Sequence, residues 1–164
     1  MRVRWKPVIV PVMTITDATT PDPSTPSAPT EPTPTETVQA LYGAFAQGDL
    51  PGMLERIHPE VDWSTEVVAP GVERVPMLHN GLGHDAVRHY FSGVAELEFH
   101  VFRPVAFHED GDIVLVELDL EMTHRTTGKH AHFAEIHRFV VREGVVVHYR
   151  PFADSAALIE LFQP

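Results

Sequence analysis

The chain has 164 residues, a formal net charge of −11, eleven histidines and no cysteine. That length fits one domain around one core, and no apolar run is long enough to span a bilayer. The acidic balance excludes a nucleic-acid or anionic-membrane surface, which needs clustered Lys and Arg. The missing cysteine excludes disulfides, a thiolate nucleophile and a thiolate metal site, which fits a cytoplasmic protein. The histidines raise the expectation of proton transfer or metal binding, so each must be placed individually.

Residues 1–33 read as a disordered tail ahead of a domain spanning 34–164. The basic and apolar start imitates a secretory signal, but Pro7 and Pro11 interrupt the run and no small-residue cleavage site follows. A start of synthesis at Met13 is an alternative. From Thr16 to Thr35 the chain is almost all Thr, Pro, Ser, Ala and acids. Such a segment buries too little apolar surface to offset its ordering entropy.

Thr33-Pro34-Thr35-Glu36 is a capping box with proline at the first helical position. Val38, Leu41, Tyr42 and Phe45 then recur at helical spacing, and Gly48 ends the helix. Asp49 caps a second short helix with Leu50, Met53, Leu54 and Ile57 inward, stopped at His58-Pro59. Val61 to Val67 alternates as a strand with Val61, Trp63 and Thr65 on one face. Residues 68–82 read as a loop rich in Pro and Gly. A third helix from about Asp85 buries Val87, Tyr90, Phe91 and Val94.

Four long strands follow, at roughly 96–108, 113–125, from Lys129 to Arg142, and from Val145 to Phe152. Glu109-Asp110-Gly111-Asp112 turns the first into the second. Arg142-Glu143-Gly144 turns the third into the fourth. A two-residue turn at Thr127-Gly128 sets a register with Glu117 opposite Arg138, Leu118 opposite His137 and Leu120 opposite Glu135. Asp154 caps a last helix from Ser155 to Phe162. The order predicts an α+β fold: a curved, mixed or antiparallel sheet wrapped as a cone-shaped barrel around three N-terminal helices, leaving a pocket between them.

Four stretches carry a family resemblance: Tyr42 to Leu50 (YGAFAQGDL) with Ile57 to Trp63 behind it, Asn80 to Phe91 (NGLGHDAVRHYF), Glu109 to Asp112 (EDGD), and Ile136 to Gly144 (IHRFVVREG) continuing to Asp154. In this order and spacing the chain from about residue 35 to 164 resembles the nuclear transport factor 2-like superfamily, and within it the SnoaL-like domains. The resemblance implies that same cone-shaped fold. It leaves function open, because the superfamily holds steroid isomerases, polyketide cyclases, epoxide hydrolases, dehydratases, oxygenase small subunits and non-catalytic scaffolds. The steroid-isomerase positions fall at Thr65, Leu41 and His137, with Tyr42 one residue out of phase. The epoxide-hydrolase positions fall at Leu118, Leu120 and Pro151. Neither acid set is present. Histidine-based dehydratases remain compatible in kind.

The face of the third long strand that carries Phe133, Phe139 and Val141 also carries Glu135 and His137. Imidazole titrates at about pH 6.5 and exchanges protons without a large shift. A carboxylate two residues away on the same face is near enough to fix its tautomer. His137 is therefore the candidate acid or base and Glu135 its partner. The alternatives are a partly buried histidine satisfied by a neighbour, and a Glu135 that reaches solvent at the pocket rim. Tyr42, Trp63, Thr65, Tyr90, Leu118 and Tyr149 are the candidate substrate-binding residues, with plain packing as the alternative for Tyr42.

His130 and His132 share the outer sheet face, with His124 across the turn. An exposed histidine cluster is expected there rather than a metal site, and no cofactor is expected. Glu117, Asp119 and Glu121 alternate on the same outer face with Ile136 and Val140, which the resemblance marks as a homodimer surface. The reading is a cofactor-independent isomerase, cyclase or lyase acting on a small hydrophobic molecule. The alternatives are a non-catalytic binding or dimerisation module and a small partner subunit of an oxygenase.

Overall fold

A computed structural model describes residues 31–164; residues 1–30 of the expected tail, and with them the Met13 start, lie outside these residues. Helix α1 (Pro34–Ala46) starts at the capping box, with the Thr33 hydroxyl accepting from Glu36 N–H and the Glu36 carboxylate accepting from Thr33 N–H. Gly48 ends it in the left-handed region at φ 67°. Helix α2 (Leu50–Leu54) is capped by Asp49. It stops earlier than its apolar pattern suggests, because Ile57 opens β1 (Ile57–Trp63) and is buried in the sheet instead. That strand ends at Trp63 rather than at Val67. Residues 68–82, read as plain loop, contain two 3₁₀ turns at Val72–Arg74 and Pro76–Leu78 and a short strand β2 (Gly81–Leu82) paired with β1. Two-residue strands carry no periodicity a sequence can display.

Helix α3 (Gly83–Val94) and strands β3 (Leu97–Asp110), β4 (Ile113–His124), β5 (His130–Arg142) and β6 (Val145–Phe152) follow, and α4 (Ser155–Phe162) closes the chain. The six strands form one mixed sheet in the order β2-β1-β6-β5-β4-β3, with β1 parallel to β6 and every other pair antiparallel. Strand β3 is an edge, which is why Pro104 is tolerated within it; bulges at Phe99/Val101 and Pro104/Ala106 bend it. The β5–β6 turn holds Glu143 at φ 50° and Gly144 at φ 72°, the two left-handed positions of a tight hairpin. Sheet, α1 and α3 together form the cone-shaped α+β fold expected from the sequence. Among the described residues no helix is long and apolar enough to cross a membrane.

The β4–β5 register differs from the expected one by two residues. Val116 faces His137, Glu117 faces Ile136 and Leu118 faces Glu135. The connection is longer than a two-residue turn: the last pair is Thr123 with His130, and Gly128 N–H closes back onto the His124 carbonyl at 2.9 Å. Side chains alternate with period two, so a two-residue offset leaves every face unchanged. Partners do change. Glu117 meets His108 at 2.8 Å, and Arg138 reaches His148 Nδ1 at 3.4 Å, so the expected Glu117–Arg138 pair is absent. His124 falls on the inner face, buried against Phe162, and does not join His130 and His132.

Candidate functional site

The concave face of the sheet, α1, α3 and α4 enclose a cavity with about 60 Å³ of room for the centres of water-sized molecules, well beyond what a single water needs. Its wall is aliphatic and aromatic apart from six side chains with polar atoms: Tyr42, Trp63, Tyr90, Glu135, His137 and Tyr149. Two of these, Glu135 and His137, follow from strand geometry. They lie two residues apart on the inward face of β5, and each is only 7% exposed. His137 Nε2 lies 2.9 Å from Glu135 Oε1.

Helix α1 completes this pair. The run Val38, Leu41, Tyr42, Phe45 packs onto the sheet and brings the Tyr42 hydroxyl to 2.8 Å from His137 Nδ1. Burial, then the Glu135 charge, then Tyr90 push the Tyr42 phenol well above its ordinary pKa. The phenol therefore keeps its proton at neutral pH and donates it to Nδ1. A neutral imidazole that accepts at Nδ1 donates from Nε2, so the chain runs Tyr42 O–H to His137 to the Glu135 carboxylate. Both imidazole nitrogens are thus occupied. The second Glu135 oxygen takes no hydrogen bond from the described residues, and Glu135 is part of the cavity wall.

A second polar pair faces the first. The hydroxyls of Tyr90 (α3) and Tyr149 (β6) lie 3.0 Å apart. Burial and the nearby Glu135 charge raise Tyr90. Burial, Tyr90, Glu135 and Tyr42 raise Tyr149. Trp63 stacks on Tyr149 with ring centres 4.1 Å apart, and its buried indole N–H meets no acceptor in the described protein. His137 stands edge-on to Tyr149 at 5.1 Å.

Five of the expected substrate-contact and partner residues therefore meet His137 around one cavity: Tyr42, Trp63, Tyr90, Glu135 and Tyr149. Two others do not. The Thr65 hydroxyl donates to the Leu78 carbonyl at 2.8 Å, and its N–H goes to Asn80 Oδ1 at 2.9 Å, so this residue anchors the loop after β1. Leu118 is buried within the sheet opposite Glu135, away from the cavity wall. Leu41, Leu120 and Pro151 do line the cavity, as apolar wall.

The bond between Tyr42 and His137 escaped sequence reasoning, because helical phase gives a direction but no distance to a strand ninety-five positions away. The wall residues Met77 and Leu78 were also missed; their only signal is an apolar pair inside a Pro- and Gly-rich loop. His130 and His132 lie outside the cavity, bonded to Glu121 at 3.0 Å and Asp119 at 2.7 Å. Among the described residues no group of three or more His, Cys, Asp or Glu side chains is arranged to hold a metal ion.

Comparison with known proteins agrees with this geometry. The family model described as a SnoaL-like domain matches residues 38–149. A nuclear transport factor 2-like protein from Burkholderia thailandensis is similar in structure, with 27% identity, 81% of this chain and 99% of that chain covered, and a TM-score of 0.68. Another from Burkholderia pseudomallei has 27% identity over 80% and 98% of the two chains, with a TM-score of 0.67. A protein named as a SnoaL-like polyketide cyclase, from Mesorhizobium loti, shares the fold at 18% identity, 74% and 99% coverage and a TM-score of 0.58. Among curated proteins nothing matches the sequence.

Proposed function

The chain belongs to the SnoaL-like domain family of the nuclear transport factor 2-like superfamily, and from that premise we propose that it binds a small, largely apolar molecule and moves a proton beside a carbonyl group of it. Isomerisation, cyclisation and dehydration all begin with that step. The observation that carries the reading is the hydrogen-bonded chain Tyr42–His137–Glu135 set into an otherwise apolar wall. The three act as a unit in which His137 holds and orients Glu135 through Nε2 and Tyr42 through Nδ1. The free Glu135 oxygen takes the proton as the carbon–hydrogen bond breaks. The enolate oxygen accepts a hydrogen bond from the Tyr90–Tyr149 pair, and the proton returns to a different atom of the same molecule. A water-excluded wall strengthens each of these contacts.

The test needs no knowledge of the natural substrate. Hydrophobic ketones that raise the melting temperature are incubated with the protein in heavy water, and deuterium entry beside the carbonyl is followed by NMR. The expected result is catalysed exchange, reduced about 100-fold or more in His137→Gln and Glu135→Gln, in line with the usual contribution of a positioned acid–base group. Binding without exchange, or exchange untouched by both variants, overturns it. A second reading, a non-catalytic binding module, draws on the fact that neither imidazole nitrogen is free; binding without exchange is its signature.

We also propose that a second copy of the chain covers the outer sheet face. Ile136 and Phe152 are cross-strand partners there, 41% and 50% exposed, and an exposed apolar pair flanked by charge is a common mark of an interface.

A further inference from the structure

Two imidazoles meet each other away from both the cavity and the outer sheet face. His79 follows the 3₁₀ turn Pro76–Leu78, and His89 lies on α3. Nδ1 of His79 is 3.3 Å from Nε2 of His89, and the ring centres are 4.9 Å apart. The outer-face imidazoles of His108, His130 and His132 bond to carboxylates instead. Packing sets the pair. Helix α3 approaches the turn so closely that a Cβ on Gly93 would meet Pro76 at 3.0 Å, and His89 stands one helical turn before Gly93 on the same face. Met77 and Leu78 are buried, so the backbone leading into His79 is anchored. The two histidines themselves are exposed. Asp85 and Arg88, the charged residues before His89 on α3, pair with each other at 3.0 Å.

We propose that His79 and His89 bind one zinc-class divalent ion, with water in the remaining positions. Two nitrogens bound to a tetrahedral zinc ion stand about 3.3 Å apart, the separation found here. A square-planar ion would draw them to about 2.9 Å. The ion takes the place of the N–H···N contact. The proton of the donating nitrogen moves to the far nitrogen of its own ring, and each lone pair turns about 35° off the N···N line to reach the metal. Exposed rings permit that turn, and a net charge of −11 draws cations to the chain. Neither histidine is in the cavity wall, but each adjoins a wall residue in sequence, Leu78 and Tyr90. The ion therefore clamps the loop after β1 to α3 and stands outside the proton chemistry proposed for the cavity.

Calorimetric titration of the full chain with zinc chloride at about pH 7.5, where imidazole is neutral, tests this. The parent chain is expected to bind one ion. His79→Gln and His89→Gln are each expected to weaken that binding about tenfold or more, because a single imidazole loses the advantage of a second ligand held nearby. The His130→Gln, His132→Gln double variant serves as control and is expected to bind as the parent does. Zinc should raise the melting temperature of the parent and of the control but not of His79→Gln. Binding should vanish at about pH 5, where both imidazoles are protonated. A parent chain that binds no zinc overturns the inference. So does an affinity unchanged in both His79→Gln and His89→Gln, or one lost in the outer-face control.

Discussion

Glu135 and His137 are buried to the same degree and bonded to each other at 2.9 Å, so their contributions to stability are strongly coupled. Replacing His137 by Leu leaves the Glu135 carboxylate in an apolar wall without its hydrogen bond, and leaving a buried charge uncompensated in this way costs about 3–5 kcal/mol. Replacing Glu135 by Leu leaves an imidazole N–H unpaired, a smaller loss of about 1–3 kcal/mol, because a neutral N–H rather than a charge is stranded. Replacing both removes the two polar groups together and fills the space with apolar side chains. The Tyr42 hydroxyl then loses its acceptor, and the double variant is expected to lose about 1–3 kcal/mol. The two single losses together exceed the double loss by about 3–5 kcal/mol, a coupling at or above the top of the range for groups in contact. Urea unfolding of the four proteins measures it, read from midpoints at constant m. Single losses that add to within about 0.5 kcal/mol, as independent sites do, would refute the coupling. The double variant also separates structure from chemistry: it is expected to fold and to exchange no deuterium.

Every tyrosine in the chain belongs to the cavity, and all three are raised by burial. Their stabilisation is complete below the ordinary phenol value of about 10 and is lost as pH rises through the raised values. Tyrosinate absorbance should thus stay flat through pH 10 and appear only with loss of the fold; a normal titration near 10 would contradict the enclosed cavity. Asp119 runs the other way. Its hydrogen bond from His132 and its contact with Arg103 hold it below the ordinary carboxylate range, so its contribution is present above that range and is lost as pH falls through its depressed value. Carbon-detected NMR should place its titration below the ordinary aspartate value of about 3.9, and Asp119→Asn should flatten the acid limb of the stability curve. Thr33→Ala removes the cap of α1 and should cost about 1 kcal/mol, measured by thermal unfolding. The parent chain is expected to sediment as a dimer and Ile136→Glu as a monomer; identical sedimentation of the two proteins would remove the outer face as an interface.

Local signals made most of the fold legible. The capping box at Thr33, the tight turn at Glu143-Gly144 and the alternation in β4 and β5 are short-range rules of backbone geometry, and each appears in the structure where the sequence placed it. The errors sit where a decision was long-range. Ile57 is equally apolar in a helix or a strand, and β6 claimed it. The β4–β5 connection contained a Gly that suits a two-residue turn, but the inward-facing His124 and its closure onto Gly128 lengthened it. Face survived that error because the side-chain period is two; partnership did not.

The sequence by itself determined which side chains of β5 face inward, and so that an acid and an imidazole enter an apolar face together. That follows from alternation alone. Only the tertiary structure decided what they do there. Helix α1 crosses the sheet at the height that puts the Tyr42 hydroxyl on His137 Nδ1, and α3 and β6 meet to set Tyr90 against Tyr149. Both are distances between elements far apart in the chain, fixed by how helices pack on a curved sheet. The same packing turned Thr65 into a loop anchor and left the Trp63 N–H buried and unpartnered. Periodicity assigns a direction to a side chain; the atom that meets it is chosen by the packing of the whole core.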